Sequence, residues 1–392
     1  MRINKLRLIN YRNYENEEIY FDPHINILFG DNAQGKTNIL EAIFYSARGF
    51  SFKNSRESDI IRFREKEAGI KAEIFLNERK KNVEILFYQD RKKEIKINGV
   101  NLDRLGELKS QFDVVIFSPE DLKVVKESPQ DRRDFLDDLI LANLPSYRQK
   151  LNSYNKILQD RNNLLKREKG VFFKESIKVF NHQLAKAASY ISYIRNNFIR
   201  ILNIYASINH KNLTRGRENL KLSYTTNIYG KDLKDKLTNL KDENIKKIRY
   251  KIMDRIEEDF LFLLEESLDR DLEYKNTYYG VHKDDFEIYI DGLPAKVYSS
   301  QGQQRTAMLA IRLSELDVFR IVKASNPILL LDDVFSELDD SRSNYLISSV
   351  KKYQTIMTTN SLDGLLDKNL DGNTYLIKSG KVVDKYRFRK KE

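Results

Sequence analysis

Gly30, Gly35, Lys36 and Thr37 stand at the fixed positions of a Gly-x4-Gly-Lys-Thr spacing, inside the run Phe29-Gly30-Asp31-Asn32-Ala33-Gln34-Gly35-Lys36-Thr37-Asn38. Glycines let a backbone curl until several N–H groups face one point, the lysine beyond them reaches terminal phosphates, and the threonine hydroxyl can ligand Mg2+. The pattern predicts a nucleoside triphosphate held by Gly30, Asn32, Gly35, Lys36, Thr37 and Asn38. Far downstream, Ile328-Leu329-Leu330-Leu331-Asp332-Asp333 is an apolar run ending in two carboxylates. Such a run fits a buried parallel strand whose C-terminal end meets the Mg2+ and the γ-phosphate. Asp332 suits the metal through a water, and Asp333 suits polarising an attacking water. Alone, the pair would equally fit a strand end that caps a helix; the upstream loop favours the site. Between them lies Ser299-Ser300-Gln301-Gly302-Gln303-Gln304-Arg305, ahead of Ala307, Leu309, Ala310, Leu313 and Leu316 at helical spacing. This helix start can hold another anion, or can be an N-capped surface helix. A chain with one phosphate loop already in place has a use for a second anion-binding helix end if one subunit closes over another's nucleotide. Ser300, Gly302 and Gln303 are the candidates for that closure.

The elements that must position these residues are legible in outline. Ile25, Ile27, Leu28 and Phe29 read as a buried strand, and Ile39, Leu40, Ile43 and Phe44 as a helix after the loop. That places the loop at a helix N-terminus, where the dipole favours anions. Period-two alternation at Leu6 and Leu8, Ile70 to Leu76, Val83 to Phe87 and Ile95 to Ile97, with the tight-turn pair Asn98-Gly99, predicts appended antiparallel strands. After Pro129 the reading turns helical, with Phe135, Leu136, Leu139 and Ile140 on one face. Leu151, Tyr154, Leu158 and Leu165 alternate at three and four residues, with Arg161 at the remaining seam position. Ile177, Phe180, Leu184, Ala187, Ile191, Ile194, Phe198, Ile201 and Tyr205 continue the alternation beyond a break at Lys166 to Gly170. Two such helices predict an antiparallel arm; a globular helical subdomain shares the same periodicity. A short strand at Leu220 to Tyr224 and an amphipathic helix from Ile245 to Leu268 follow. The predicted fold is α/β, with a nucleotide-binding head at residues 1–125 and 271–392 and a mostly helical insertion at 126–270.

The 392 residues allow about two or three domains. With 41% hydrophobic and 32% charged residues, the composition is that of a soluble globular protein. No apolar run approaches the ~18 to 20 residues that span a membrane, and Met1 to Asn26 lacks a signal-peptide core, so a cytoplasmic, non-membrane protein is expected. The absence of cysteine excludes disulfides and thiolate zinc sites, and four dispersed histidines argue against a histidine metal site. Nucleotide-borne Mg2+ is the one metal expected. A formal charge of +11 favours a polyanionic partner such as nucleic acid, or reflects a lysine-rich surface. Lys150, Lys156, Arg161, Lys166 and Arg167, and the tail Arg387-Phe388-Arg389-Lys390-Lys391, are candidate phosphate contacts or solvated charge.

In that order, the phosphate loop, Ser300-Gln301-Gly302-Gln303, Asp332-Asp333 and Ser336-Glu337-Leu338-Asp339 resemble the ATP-binding-cassette class of ATPases. Within it, the chain resembles the RecF family of bacterial recombination-mediator ATPases. The matching text includes Asn10-Tyr11-Arg12-Asn13-Tyr14, Leu40-Glu41-Ala42, Phe117-Ser118-Pro119-Glu120-Asp121, Ser128-Pro129 with Arg132-Arg133, and Leu329 to Asp339. The resemblance implies an ATP-dependent homodimer with each ATP between one subunit's loop and the other's signature helix. It also implies weak, DNA-stimulated hydrolysis and binding of double-stranded and gapped DNA. RecR and RecO are the implied partners, in loading a recombinase during repair and replication restart. Against the wider class, Gln301 replaces a signature glycine, Asp333 a catalytic glutamate and Asn360 a switch histidine. The shorter Asp333 carboxylate implies slow turnover. Val281 replaces a family proline, which leaves His282 open between a site role and a packed structural histidine. A transporter's energy-coupling ATPase and an SMC-like chromosome organiser share the motifs; the former lacks the long heptad insertion and the latter needs a far longer arm. A GTPase is excluded because no Asn-Lys-x-Asp guanine element occurs.

Overall fold

The computed structural model describes residues 1–53, 55–102, 105–108, 111–167, 172–230, 233, 242–362, 365 and 370–388. The chain forms two compact units. The first comprises Met1–Leu122, Asn209–Arg217 and Arg305–Glu392; the second comprises Lys123–Ile208 and Glu218–Gln304.

The first unit holds two six-stranded sheets. One is antiparallel, in the order β2-β1-β4-β5-β6-β7: β1 (Arg2–Tyr11), β2 (Tyr14–Tyr20), β4 (Glu67–Leu76), β5 (Arg79–Tyr88), β6 (Glu94–Ile97) and β7 (Val100–Asn101). Its alternation is the predicted one: Leu6, Leu8, Ile70, Ala72, Ile74, Val83, Ile85 and Phe87 are all buried. Asn98 and Gly99 both take positive φ, 50° and 83°, which suits the tight turn joining β6 to β7. The other sheet runs β15-β14-β3-β13-β12-β8. Its strands β3 (Ile25–Phe29), β8 (Val114–Phe117), β12 (Ile328–Leu331), β13 (Thr355–Thr359) and β14 (Gly372–Lys378) are parallel, and β15 (Lys381–Phe388) is antiparallel at the edge. Helix α1 (Lys36–Arg48) shares one hydrophobic core with both sheets, and every residue from Ile39 to Arg48 is buried. That explains why its apolar residues exceed a single stripe: a helix covered on all sides has no face to give to water.

In the second unit, α2 (Pro129–Asn143), α3 (Tyr147–Arg167), most of α4 (Phe173–Leu213), α5 (Asp242–Glu266) and α6 (Leu268–Tyr274) accompany a small sheet. That sheet is β11-β10-β9: β9 (Leu220–Thr225), β10 (Asp285–Ile290) and β11 (Leu293–Pro294). Ser128 caps α2 through a reciprocal pairing with Asp131, and Pro129 takes the first turn, where its missing N–H costs nothing. Arg195 Nε donates to the Tyr147 hydroxyl at 3.2 Å and Arg161 Nε to Asn181 Oδ1 at 2.8 Å, so α3 and α4 run antiparallel. They are built into a compact lobe: Tyr154 meets His282 at 2.7 Å, and Arg132 grips Asp285 with two hydrogen bonds of 2.7 and 2.8 Å.

Two sequence expectations change here. The predicted head takes in residues 271–304, which join the second unit because β10 pairs with β9 over six residues from Asp285↔Thr225 to Ile290↔Leu220, and the predicted insertion takes in Asn209–Arg217, which joins the first unit. Arg161 was a candidate DNA contact, but its side chain is fully buried against Asp271 at 2.7 Å and Thr277 at 2.7 Å, where no phosphate can reach it. Lys150, Lys156, Lys166 and Arg167 are exposed. Residues 168–170 of the expected helix break, and Arg389 to Lys391 of the basic tail, lie outside the described residues. No helix among the described residues is long and apolar enough to cross a membrane.

Candidate nucleotide site

β3 delivers the chain to the loop at Gly30, and α1 begins at Lys36. Both glycines have positive φ, 141° at Gly30 and 112° at Gly35. They are also hemmed in by protein. A Cβ on Gly30 would lie 2.4 Å from the Ile377 carbonyl oxygen of β14, and one on Gly35 would lie within 2.8 Å of the Asn13 amide and the Tyr14 hydroxyl. The tight fit is therefore a packing requirement as well as a route for phosphate. Two turns hold the loop in shape. From the β1–β2 turn, Asn13 Nδ2 donates to Gln34 O at 2.9 Å and the Tyr14 hydroxyl to Gly35 O at 3.0 Å. From the β14–β15 turn, Gly380 N donates to Gln34 O at 3.1 Å and Ser379 N to Gln34 Oε1 at 2.6 Å.

Lys36 Nζ donates to Gly30 O at 2.5 Å, Asp31 O at 2.7 Å and Asn360 Oδ1 at 3.0 Å. Burial lowers its pKa, opposed by the charges of Asp333, Asp31 and Asp332. Parallel pairing of β12 with β13, and of β13 with β3, sets Asp332 beside the loop. There Asp332 Oδ1 accepts hydrogen bonds from Thr37 Oγ1 and Thr358 Oγ1, each at 2.8 Å. Burial pushes the Asp332 carboxyl above its ordinary range, the two threonine hydroxyls and Lys53 oppose this, and the Asp333 charge adds to it. Asp333 takes a left-handed backbone, φ 52°, and its N–H donates to Thr358 Oγ1 at 2.9 Å. Its Oδ1 is buried without a hydrogen-bond partner among the described residues. The cleft bounded by these groups measures about 370 Å3, and Asn32, Asn38 and Asn360 line it too.

The structure thus brings together Gly30, Asn32, Gly35, Lys36, Thr37, Asn38, Asp332 and Asp333, all in the first unit. Ser300, Gly302 and Gln303 belong to the second unit, at the start of α7 (Gln301–Lys323). Ser300 N donates to Gln303 Oε1 at 2.8 Å and Gln303 N to Ser300 Oγ at 3.3 Å, a reciprocal cap. Ser300 and Gly302 are exposed, and a Cβ on Gly302 would meet nothing within 4 Å.

Sequence reasoning gave no role to Arg12, Glu41 or Lys53. Glu41, fully buried on α1, accepts a fork from Arg12 at 3.0 and 2.6 Å. Burial alone would raise the Glu41 carboxyl, but Arg12, Lys53 and Ser51 hold it low. Lys53 lines the cleft, donates to Asn38 Oδ1 at 2.8 Å and lies 3.7 Å from Glu41. The available signal was a charged residue in the middle of an otherwise apolar helix. His282 donates to or accepts from Tyr154 at 2.7 Å and lies 3.3 Å from Thr277 O, and burial lowers its pKa to about 4. It is a packed histidine of the second unit.

The domain described as RecF/RecN/SMC N terminal domain matches residues 2–366. The DNA replication and repair protein RecF of Alkaliphilus oremlandii (strain OhILAs) is 39% identical over 384 residues, 97% of this chain and 100% of that one. The chain belongs to the RecF family. Among solved RecF structures, that of the recombination mediator protein RecF-ATP in the RecFOR pathway superposes with a TM-score of 0.83. It is 33% identical, covering 98% of this chain and 97% of that one. The Smc head domain of Pyrococcus furiosus shares the fold at a TM-score of 0.55 and 18% identity, over 99% and 96% of the two chains. RecF membership makes this a member of a DNA replication and repair family with an ABC-type head, and removes the transporter reading.

Proposed function

We propose that the chain is an ATP-dependent, DNA-binding dimer that hydrolyses ATP slowly and uses it as a switch. Within one copy, the loop N–H groups from Asn32 to Asn38 cradle the phosphates and Lys36 neutralises the terminal ones. The donor set fits Mg2+, because Thr37 Oγ1 and Asp332 Oδ1 are hard oxygen ligands on one wall of the cleft. When bound, the ion would supply positive charge against the terminal phosphates. Asp332 would hold it through a water, and the Asp333 carboxylate, which lines the same cleft, would polarise the attacking water. From the second copy, Ser300, Gly302 and Gln303 close over the γ-phosphate.

One observation carries the reading. The cleft residues converge in the first unit, while Gly302 is exposed with open space at its Cα, so nothing within the described chain calls for a glycine there. Close approach by a second copy does. Solved RecF with ATP supports the nucleotide, and its place in the RecFOR pathway supports DNA repair with RecO and RecR as partners. The formal charge of +11 supports a DNA ligand, and its contacts should weaken as salt rises. The proposed site of action is the gap or single-strand/double-strand junction of duplex DNA in the cytoplasm, where the dimer promotes recombinase loading and DNA stimulates its turnover.

Two variants test the arrangement. Lys36→Ala should lose ATP binding. Ser300→Arg should bind ATP as a monomer yet fail to dimerise on sedimentation with ATP and Mg2+. A normal dimer of Ser300→Arg would sink the two-copy site.

A further inference from the structure

At the start of α4 one side of the helix is buried, with Ile177, Asn181, Leu184 and Ala185 inside, and the other side faces water. Lys174, Lys178, His182 and Lys186 are exposed there, one every four residues, and Glu175 is the one acidic residue between Phe173 and Tyr190. Side chains four apart are neighbours on a helix surface, so Lys174 to Lys186 form a row of about 18 Å at ~1.5 Å per residue. Four residues exceed the about 3.6 of one turn, so the row drifts around the helix, and its next member, Tyr190, arrives against α5. There the Arg249 guanidinium lies 5.9 Å from the centre of the Tyr190 ring, 6.0 Å from that of Tyr193 and 5.7 Å from that of Tyr250. Its Nε is buried without a hydrogen-bond partner among the described residues. Tyr193 is buried, whereas Tyr250 is 72% exposed and Lys251 beside it is exposed too.

We propose that this strip binds single-stranded DNA, with phosphates along Lys174, Lys178 and Lys186 and an unstacked base on Tyr250. The inference rests on the DNA-binding reading above and gives it a place on the chain. Two observations separate the strip from ordinary solvated charge. On the antiparallel sheet of the first unit, exposed cations meet carboxylates: Lys5 with Glu18 at 2.7 Å, Lys71 with Glu84 at 2.6 Å and Lys80 with Glu73 at 2.5 Å. Among the described residues, Lys174, Lys178 and Lys186 make no ion pair, so their charge is open to an anion from outside. The strip also ends on aromatic rings with an arginine among them. Such rings stack on a base whatever the sequence, but only where the base has left its pair and offers a π-face. Duplex DNA could satisfy the lysines and would leave Tyr250 nothing to stack on, which selects the single strand.

The test uses the full chain with fluorescent oligothymidylate and, separately, a blunt duplex, each over a salt series. The double variant Lys178→Glu/Lys186→Glu should bind oligothymidylate about tenfold more weakly or worse, with duplex binding, ATP binding and melting as in the parent. Its slope of log affinity against log salt should flatten by about 1.4, the share of two phosphates on a single strand. Tyr250→Ala should weaken oligothymidylate about fivefold or more with the slope unchanged, and Tyr250→Phe should bind as the parent does. Parental binding of oligothymidylate by both the double variant and Tyr250→Ala overturns the strip and leaves the DNA-binding reading standing. Equal losses on single strand and duplex, or displacement of oligothymidylate by polyglutamate of the same charge, overturn the single-strand assignment. A parent chain that binds neither DNA overturns the DNA-binding reading and the strip with it.

Discussion

Asp332→Asn should make the nucleotide-free chain more stable while abolishing its response to ATP and Mg2+. The carboxylate is 7% exposed, accepts two threonine hydroxyls at 2.8 Å, and sits beside Asp333, whose buried Oδ1 has no hydrogen-bond partner among the described residues. Asparagine keeps an oxygen for Thr37 and Thr358 and removes a charge that burial and the neighbouring Asp333 carboxylate both disfavour. A gain of about 1 kcal/mol corresponds to a melting temperature ~2 to 4 °C higher. The pH dependence fixes the cause. Burial raises the Asp332 carboxyl above its unfolded value, so its share of stability is present below the unfolded pKa and is lost as pH rises through the folded one. The advantage of the asparagine should therefore be largest near neutrality and disappear in acid. Melting the parent and the variant across pH, with and without ATP and Mg2+, reads all of this. A variant that melts below the parent at neutral pH, or that ATP and Mg2+ still stabilise fully, refutes the reasoning.

Asp333→Asn should bind ATP and dimerise but turn over at least tenfold more slowly, as read by single-turnover phosphate release; parental turnover would move water activation elsewhere. Arg161→Ala leaves Asp271 buried and uncompensated, and should cost about 3 to 5 kcal/mol in denaturant unfolding. Lys156→Ala, on the exposed side of the same helix, should stay within about 0.5 kcal/mol. His282 is held neutral down to about 4, so the second unit should lose stability as pH falls from the unfolded histidine value of about 6.5 toward 4. His282→Gln should flatten that acid loss, and an unchanged acid profile would count against the assignment.

The candidate site was legible in the sequence wherever chemistry demands particular residues at particular spacings. Gly30, Lys36, Thr37 and the Asp332-Asp333 strand end could be paired from 295 residues apart because metal and phosphate leave few alternatives, and the Thr37–Asp332 hydrogen bond joins the two halves. The sheets followed from alternation and from Asn98-Gly99. What stayed hidden was tertiary. Arg161 occupies a seam position that reads as either a surface cation or a buried one, and only Asp271, 110 residues away, decides it. The grip of Arg12 on Glu41 is equally invisible, since a bidentate ion pair imposes no sequence period. The head boundary was misplaced because β10 looks like any alternating strand until its partner β9 is known.

The clasp on the phosphate loop also dictates when, during synthesis, the protein first has a finished cradle. Gln34 is held by Asn13 on one side and by Ser379 and Gly380 on the other, and Gly30 lies under Ile377. Ile377, Ser379 and Gly380, which close over the Gly-Lys-Thr run, lie far downstream of it, so at ~5 to 20 residues per second the ribosome makes them tens of seconds later. A nascent chain therefore carries its nucleotide motif incomplete until β14 and the turn after it are made. Assembly of the cradle waits on synthesis of β14 and the turn after it, and a chain truncated before β14 keeps the motif yet loses the walls that shape it.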